Sequence, residues 1–354
     1  MSDPSEVVPV PKGISQREIA ERSGVSVATV SRALSGSSSV SPRTRAQILS
    51  AVRALESESN GGAGQKNVTR TIGLTNSHLV SNPYSPGNET MVQEILGGVE
   101  EAAQVRNAAV YTLHQSGFLL DQRRDAFFGA IDGLLLTGGV ISTELADAVK
   151  RRGIACVLIG GHLPDSSFPS VSGDITRGTY LSVQHLVELG HRRIALVNGP
   201  SETYTSIERR AGYLEAMFDA DLPVRREWIR WRDGYLGFSA QAGKEITSEL
   251  LRLDEQPTAI VYASDTLALG GLGVLTESGL RVPDDISITG FDDAQIATAM
   301  NPQLTTVRVD RVAWGTRALE RLLRILDGSN PSEPERLLMP VELHIRASTG
   351  PVRG

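Results

Sequence analysis

Residues 14–55, ISQREIAERSGVSVATVSRALSGSSSVSPRTRAQILSAVRAL, decide how the N-terminal part of the chain is read. Ile19 and Ala20 are the apolar positions of a short helix over Gln16 to Arg22, which Ser23-Gly24 stops. Val25-Ser26 turns the chain, and Ser26 can cap a second helix, Val27 to about Leu34, through its side-chain oxygen. Ser35-Gly36 ends that helix, and a polar serine run follows. Ser41-Pro42 opens a third, with Ser41 as the cap. Pro42 falls in the first turn, where an N–H would lack a helical partner anyway. Ile48, Val52 and Leu55 then recur at i, i+4 and i+7.

Two helices joined by a tight glycine-containing turn form a helix-turn-helix, whose second helix enters the DNA major groove with its N-terminal residues at base edges. Here Val30 and Leu34 are predicted to face the core, leaving Val27, Ala28, Ser31 and Arg32 on the free face. The Arg32 fork matches guanine O6 and N7, and Val27 and Ala28 suit thymine methyls. Ser26, Thr29, Ser31, Ser41 and Thr44 are small hydroxyls suited to phosphate. The competing reading is a small helical bundle with a solvated basic face, but turn, cap and basic side occur together.

The pattern SxREIAxxSGVSxATVSRALS…VSPxTRxxI resembles the headpiece of the LacI/GalR family of bacterial transcription regulators, and further matches extend over nearly the whole chain. The resemblance adds Ser15 and Arg17, at the start of the first helix, to the DNA-contacting residues. It implies a homodimer on a near-palindromic operator, probed by two headpieces and controlled by a sugar or sugar derivative. It further implies a repressor of carbohydrate-utilisation genes that needs no cofactor and is not an enzyme.

Charge is distributed as such a function requires. The 354-residue chain carries a formal net charge of -6, yet Lys12 to Arg53 holds seven basic and two acidic residues. A basic module on an acidic body suits phosphate contact by one end only. Cys156 stands alone, so an internal disulfide is excluded, and its apolar setting Ala155-Cys-Val-Leu-Ile suggests a buried small hydrophobe. The Pro-rich start, MSDPSEVVPVPKG, is not a signal peptide, and no apolar run approaches the about 20 residues of a membrane span. A cytoplasmic location without membrane contact is expected. The six histidines have no metal-ligand spacing, and neither HExxH nor a nucleophile elbow occurs.

In chain order, residues 1–13 read as a disordered tail, 14–56 as the headpiece and 57–70 as a hinge or linker. The linker holds Gly61, Gly62 and Gly64 and lacks the wedging Leu of the family's hinge helix. Glycines cost about 1 kcal/mol each in a helix, so the hinge orders differently on DNA or bends its operator less. From Thr71 short apolar strands alternate with amphipathic helices, the mark of parallel sheets covered by helices. The fold class is therefore an all-α helix-turn-helix headpiece plus a two-lobed α/β body like a periplasmic binding protein (residues 71–350). The resemblance sets an N-lobe at about 70–161 and 309–337 and a C-lobe at about 162–308 and 338–350. The body alone would also suit a sugar receptor serving transport, a reading that the headpiece disfavours.

Ligands of such folds bind beyond the carboxyl ends of the strands. Asn82 and Tyr84 stand in an Asn-Pro-aromatic turn that the family aims at the cleft; a plain turn is the alternative. Asp174 can cap a helix or contact ligand. Thr203, Thr205 and Arg209 follow Gly199-Pro200, and the Arg209 fork can hold a carboxylate or vicinal hydroxyls, or form a surface salt bridge. Asp265 and Asp292 end successive strands and can accept from sugar hydroxyls, with helix capping as the alternative for Asp265. Arg232, beside Trp231, is placed where the family often stacks an aromatic residue. Gly270-Gly271-x-Gly273 lies within a helical pattern and is assigned to helix packing, not to phosphate.

Overall fold

A computed structural model describes residues 15–35, 37, 39–41, 44–45, 47–48, 50–52, 55, 69–76, 88–113, 121–138, 143–163, 168–201, 203–234, 237–329 and 336–353. The chain divides into two compact units, Met1–Thr69 and Arg70–Gly354. The expected tail, nearly all of the linker, and the Asn82-Pro83-Tyr84 turn lie outside the described residues.

In the first unit, Gln16–Ser23 (α1) and Val27–Leu34 (α2) are helices. Ser15 and Glu18 form a reciprocal capping box on α1. Gly24 closes α1 at φ 66°, a left-handed conformation that needs no Cβ, and so makes the tight turn into α2. Ser26 caps α2 by accepting from the Thr29 N–H at 3.2 Å. The third segment is helical at residues 44, 45, 47, 48, 50–52 and 55, and Ser41 accepts from the Thr44 N–H at 3.1 Å. Ile19, Val30, Leu34, Ile48 and Val52 share one apolar core, as their spacing predicts.

The second unit contains two sheets. In the first, Arg70–Asn76 (β1), Ala108–Leu113 (β2), Gly133–Thr137 (β3), Ala155–Ile159 (β4), Ser170–Gly173 (β5) and Arg336–Met339 (β11) run parallel in the order β11-β5-β4-β3-β1-β2. In the second, Ile194–Val197 (β6), Ile229–Arg230 (β7), Ala259–Tyr262 (β8), Ser287–Asp292 (β9), Thr305–Val309 (β10) and Val341–His344 (β12) follow the order β12-β10-β9-β8-β6-β7. The two orders correspond strand for strand; only β12 is antiparallel to its neighbour. The covering helices are Asn88–Arg106 (α3), Asp121–Ala130 (α4), Thr143–Arg151 (α5), Ile175–Glu188 (α6), Tyr204–Asp219 (α7), Ala240–Leu250 (α8), Asp265–Glu277 (α9), Gln295–Ala299 (α10) and Arg311–Leu326 (α11).

The chain passes between the sheets three times, after β5, after β10 and after β11. This corrects two sequence-derived lobe limits. A first crossing near Gly161 is too early, because Ser170–Gly173 pairs with β4 and β11 in the first sheet. The first sheet also keeps the chain to Met339 rather than Leu337. Trp314 on α11 packs at these crossings, where a Cβ on Gly173 would come within 2.7 Å of its ring. Close packing accounts for two glycines of α9: a Cβ on Gly270 would stand 1.9 Å from the Ala240 carbonyl oxygen of α8, and one on Gly271 2.0 Å from the Tyr262 hydroxyl of β8. Cys156 is buried in β4, and burial pushes its thiol up. Among the described residues no helix is long and apolar enough to cross a membrane.

Candidate functional site

On α2 one face is spent on the core and the other is free. Val30, Ala33 and Leu34 are buried, while Val27, Ala28, Ser31 and Arg32 are exposed. Arg32 lies along the helix with its Nε donating to the Ala28 carbonyl at 3.1 Å, leaving the rest of the fork available. The hydroxyls of Ser26 and Thr29 are 2.8 Å apart at the start of α2, and those of Ser41 and Thr44 repeat the arrangement at 2.8 Å. Each pair stands where free backbone N–H groups and the helix dipole favour an anion. Ser15 and Arg17 are exposed on α1, although the Ser15 hydroxyl already donates to Glu18 at 2.7 Å and Arg17 faces Glu21 at 3.9 Å.

Arg45 positions this surface. Its guanidinium donates to the carbonyls of Ala33 and Ser37, both at 2.8 Å, and so satisfies groups left open at the end of α2. Gln47 reaches the Ser23 carbonyl at 2.8 Å, at the end of α1. The third helical segment thus holds both helices of the motif by their C-terminal ends.

In the body, the strand order of the second sheet reverses between β6 and β8, the place where such sheets take ligands. Residues following β6, β8 and β9 converge there. Arg209, one turn into α7, is 6 % exposed, and among the described residues nothing accepts from its Nε or Nη1. Its guanidinium carbon stands 4.8 Å from the Phe291 ring centroid and 5.7 Å from that of Phe238. Burial lowers its pKa to about 10, against the opposing pull of Asp292 and Glu208. A buried guanidinium with free donors is costly unless something accepts from it, so Arg209 fits a ligand that carries oxygen acceptors.

Asp292 ends β9 with φ 117°, followed by Asp293 at φ 52°. Positive φ at two successive non-glycine residues is strain of the kind that collects at binding sites. Asp292 accepts from Arg311 at 2.5 Å; burial raises its pKa, opposed by Arg311 and Arg209. Asp293 turns elsewhere, to Arg346 at 2.5 Å and His344 at 2.9 Å.

Asp265 has a different place. It is buried, and its carboxyl oxygens receive the Ala294 N–H at 2.7 Å and the Thr306 hydroxyl at 2.6 Å. The cap of α9 is Ser264, not Asp265. Asp265 therefore ties the start of α9 to β10 and to the chain after β9. Asp174 caps α6 by accepting from the Arg177 N–H at 2.9 Å and is half-buried. Thr203 caps α7 and is buried, with Thr205 half-buried and 3.4 Å away.

The Arg232 guanidinium is bound by Glu249 and lies 3.5 Å from Glu245, both on α8, so its charge is matched at the rim of an open depression. The aromatic rings beside Arg209 are instead Phe238 and Phe291. Arg311, Glu208, Tyr204 and Arg336 were not found from sequence. Arg336 donates to the Tyr204 hydroxyl at 2.7 Å and pairs with Glu208, 128 positions away, which no local pattern signals. Among the described residues no cluster of His, Cys, Asp and Glu is arranged to hold a metal.

The comparisons agree with this geometry. Residues 16–60 match the model of bacterial regulatory proteins of the lacI family, and residues 183–349 match a periplasmic binding protein-like domain. The HTH-type transcriptional repressor PurR of Actinobacillus pleuropneumoniae serotype 3 (strain JL03) is 30% identical over 338 residues, covering 94% of this chain and 97% of the relative. The transcriptional regulator CelR–cellobiose complex is similar at TM-score 0.71 and 28% identity, covering 95% of this chain and 99% of that one. The lac repressor dimer bound to operator and an anti-inducer, ONPF, is similar at TM-score 0.67 and 26% identity, covering 96% and 100%. An exposed face on α2, a two-sheet α/β body and similarity along nearly the full length lead to one assignment: the chain belongs to the LacI/GalR family of DNA-binding transcription regulators, which are not enzymes.

Proposed function

We propose that this protein is a cytoplasmic repressor that binds a near-palindromic operator as a homodimer. One headpiece reads each half-site, with Val27, Ala28, Ser31 and Arg32 at base edges and Ser15, Arg17, Ser26, Thr29, Ser41 and Thr44 at phosphates. The effector is a sugar or sugar derivative held between the lobes by Arg209 and Asp292, with Asp174, Thr203 and Thr205 at the rim. Asp265 holds the chain after β9, next to Asp292, by accepting from the Ala294 N–H. Carbohydrate-utilisation genes are the proposed targets. The effector acts because it binds one arrangement of the lobes more tightly than the other; without that difference it shifts nothing.

One observation carries this proposal: α2 leaves Val27, Ala28, Ser31 and Arg32 exposed while Val30, Ala33 and Leu34 are buried. Support comes also from the printed names of relatives, one a transcriptional repressor, one a cellobiose complex and one a dimer on operator DNA. The test is selection of bound duplexes from a random-sequence pool, with the wild type and with Arg32→Ala. Wild type is expected to enrich a near-palindrome. The variant is expected to lose preference at the position Arg32 reads, worth about 1–3 kcal/mol per base contact, while still binding DNA weakly through phosphates. An unchanged enriched sequence would remove Arg32 as the reader.

A further inference from the structure

The two lobes are joined at their edge by a contact outside the proposed ligand contacts. Arg336 opens β11, the edge strand of the first sheet, and is fixed there by the pairing of β11 with β5. Its side chain crosses to α7 of the other lobe. Nη1 donates to the Tyr204 hydroxyl at 2.7 Å, Nη2 pairs with Glu208, and the guanidinium lies 5.0 Å from the Tyr204 ring centroid. His162, at the end of the chain leaving β4, meets the other side of this group, its ring 5.3 Å from Tyr204 edge-on. Glu208 is 8 % exposed and Arg336 has a buried Nε without a partner among the described residues.

Glu208 immediately precedes Arg209, so the clasp and the ligand-facing guanidinium share one turn of α7. We propose that Arg336, gripping Tyr204 and Glu208, is an interlobe clasp that sets how far the lobes open and where Arg209 stands. The second half of this statement rests on the cleft being the effector site; the first half does not. Arg336 is thus a positioning residue, acting on ligand only through α7. Removing it takes from buried Glu208 the cation that pairs with it directly, an unfavourable state that opening the lobes relieves by hydrating the carboxylate. The arrangement differs from the Arg311 contact, which lies next to a chain crossing: Asp292 on β9 is the register partner of Arg308 on β10, three residues before Arg311.

The test measures lobe separation directly and needs no ligand. Spin labels at Lys150→Cys and Arg252→Cys, exposed sites on opposite lobes, report an interlobe distance distribution in the full chain. Cys156 is buried and does not take label. Arg336→Met and, separately, Glu208→Gln are expected to move the distribution to longer distances. Exchanging the charges, Arg336→Glu with Glu208→Arg, is expected to bring it back towards the wild-type value. Glu208→Gln is nearly isosteric and keeps the test valid if Arg336→Met folds poorly. A distribution that does not move in either single variant overturns the clasp. Failure of the effector assignment would show separately, as Arg209→Met having no effect on ligand-induced stabilisation while the distances still respond.

Discussion

Arg45 ends α2: its Nη1 donates to the carbonyl of Ala33 at 2.8 Å, twelve positions earlier in the chain. A second bond from Nη2 to Ser37 fixes the chain leaving α2. The relationship explains how so short a helix holds its shape at a surface. Eight residues are too few to be stable alone, and α2 depends on its buried face and on this partner for its open carbonyls.

Arg45→Met is therefore expected to loosen the headpiece while keeping much of the aliphatic packing. Hydrogen bonds from a charged donor contribute about 1.5–3 kcal/mol, and the loss is expected to be confined to the first unit. Amide hydrogen exchange should rise in α2 and remain unchanged in the strands of the body. Unaltered exchange in α2 would show that the apolar core alone holds it.

Arg209→Met separates binding from stability. The arginine buries Nε and Nη1 with no accepting group among the described residues, and an unsatisfied buried polar group costs about 1–3 kcal/mol by mutational measures. The variant is expected to melt no lower than wild type. It is also expected to lose the stabilisation that an effector confers by mass action. A thermal-shift screen of sugars, sugar phosphates and sugar acids, run on both proteins, checks both halves. A hit that stabilises the variant equally would exclude Arg209 from the site.

Asp265 gives the body a pH dependence. Burial first, and then the neighbouring Asp292 charge, push its carboxyl up from 3.8 to about 8. The folded chain therefore holds this proton more tightly than the unfolded chain. The corresponding stability is fully present below pH 3.8 and is lost as the pH rises towards and through 8. Melting temperature at pH 6 and at pH 8.5 should differ more in wild type than in Asp265→Asn, whose amide mimics the protonated acid. An equal difference in the two proteins would remove Asp265 as its source.

The sequence made the headpiece legible because its signals are local: Ser26 and Ser41 as caps, Gly24 at the turn, and an apolar spacing that leaves Arg32 outside. The α/β alternation of the body was legible for the same reason, since β3 and β4 are buried apolar runs. The strand Ser170–Gly173 escaped because SVSG has neither an apolar run nor alternation; it is a strand only because β4 and β11 flank it. The cleft was half legible. Arg209 and Asp292 stand in stretches that a motif marks, whereas Tyr204, Glu208 and Arg336 acquire their relationship only when residues distant in sequence meet. The partners of Arg232 were not legible, because its neighbourhood in the chain, beside Trp231, does not name Glu245 and Glu249, which it meets in space.

The three passages of chain between the sheets limit how this molecule can be dissected. Neither lobe is a continuous piece of gene: β11 completes the first sheet after five strands of the second have passed, and β12 completes the second only after that. Deleting the codons from Arg336 onward would strip an edge strand from each half at once. A working fragment of either half would need splicing of distant segments, so exchange of sensors between relatives is practicable only as a single block, cut near Thr69.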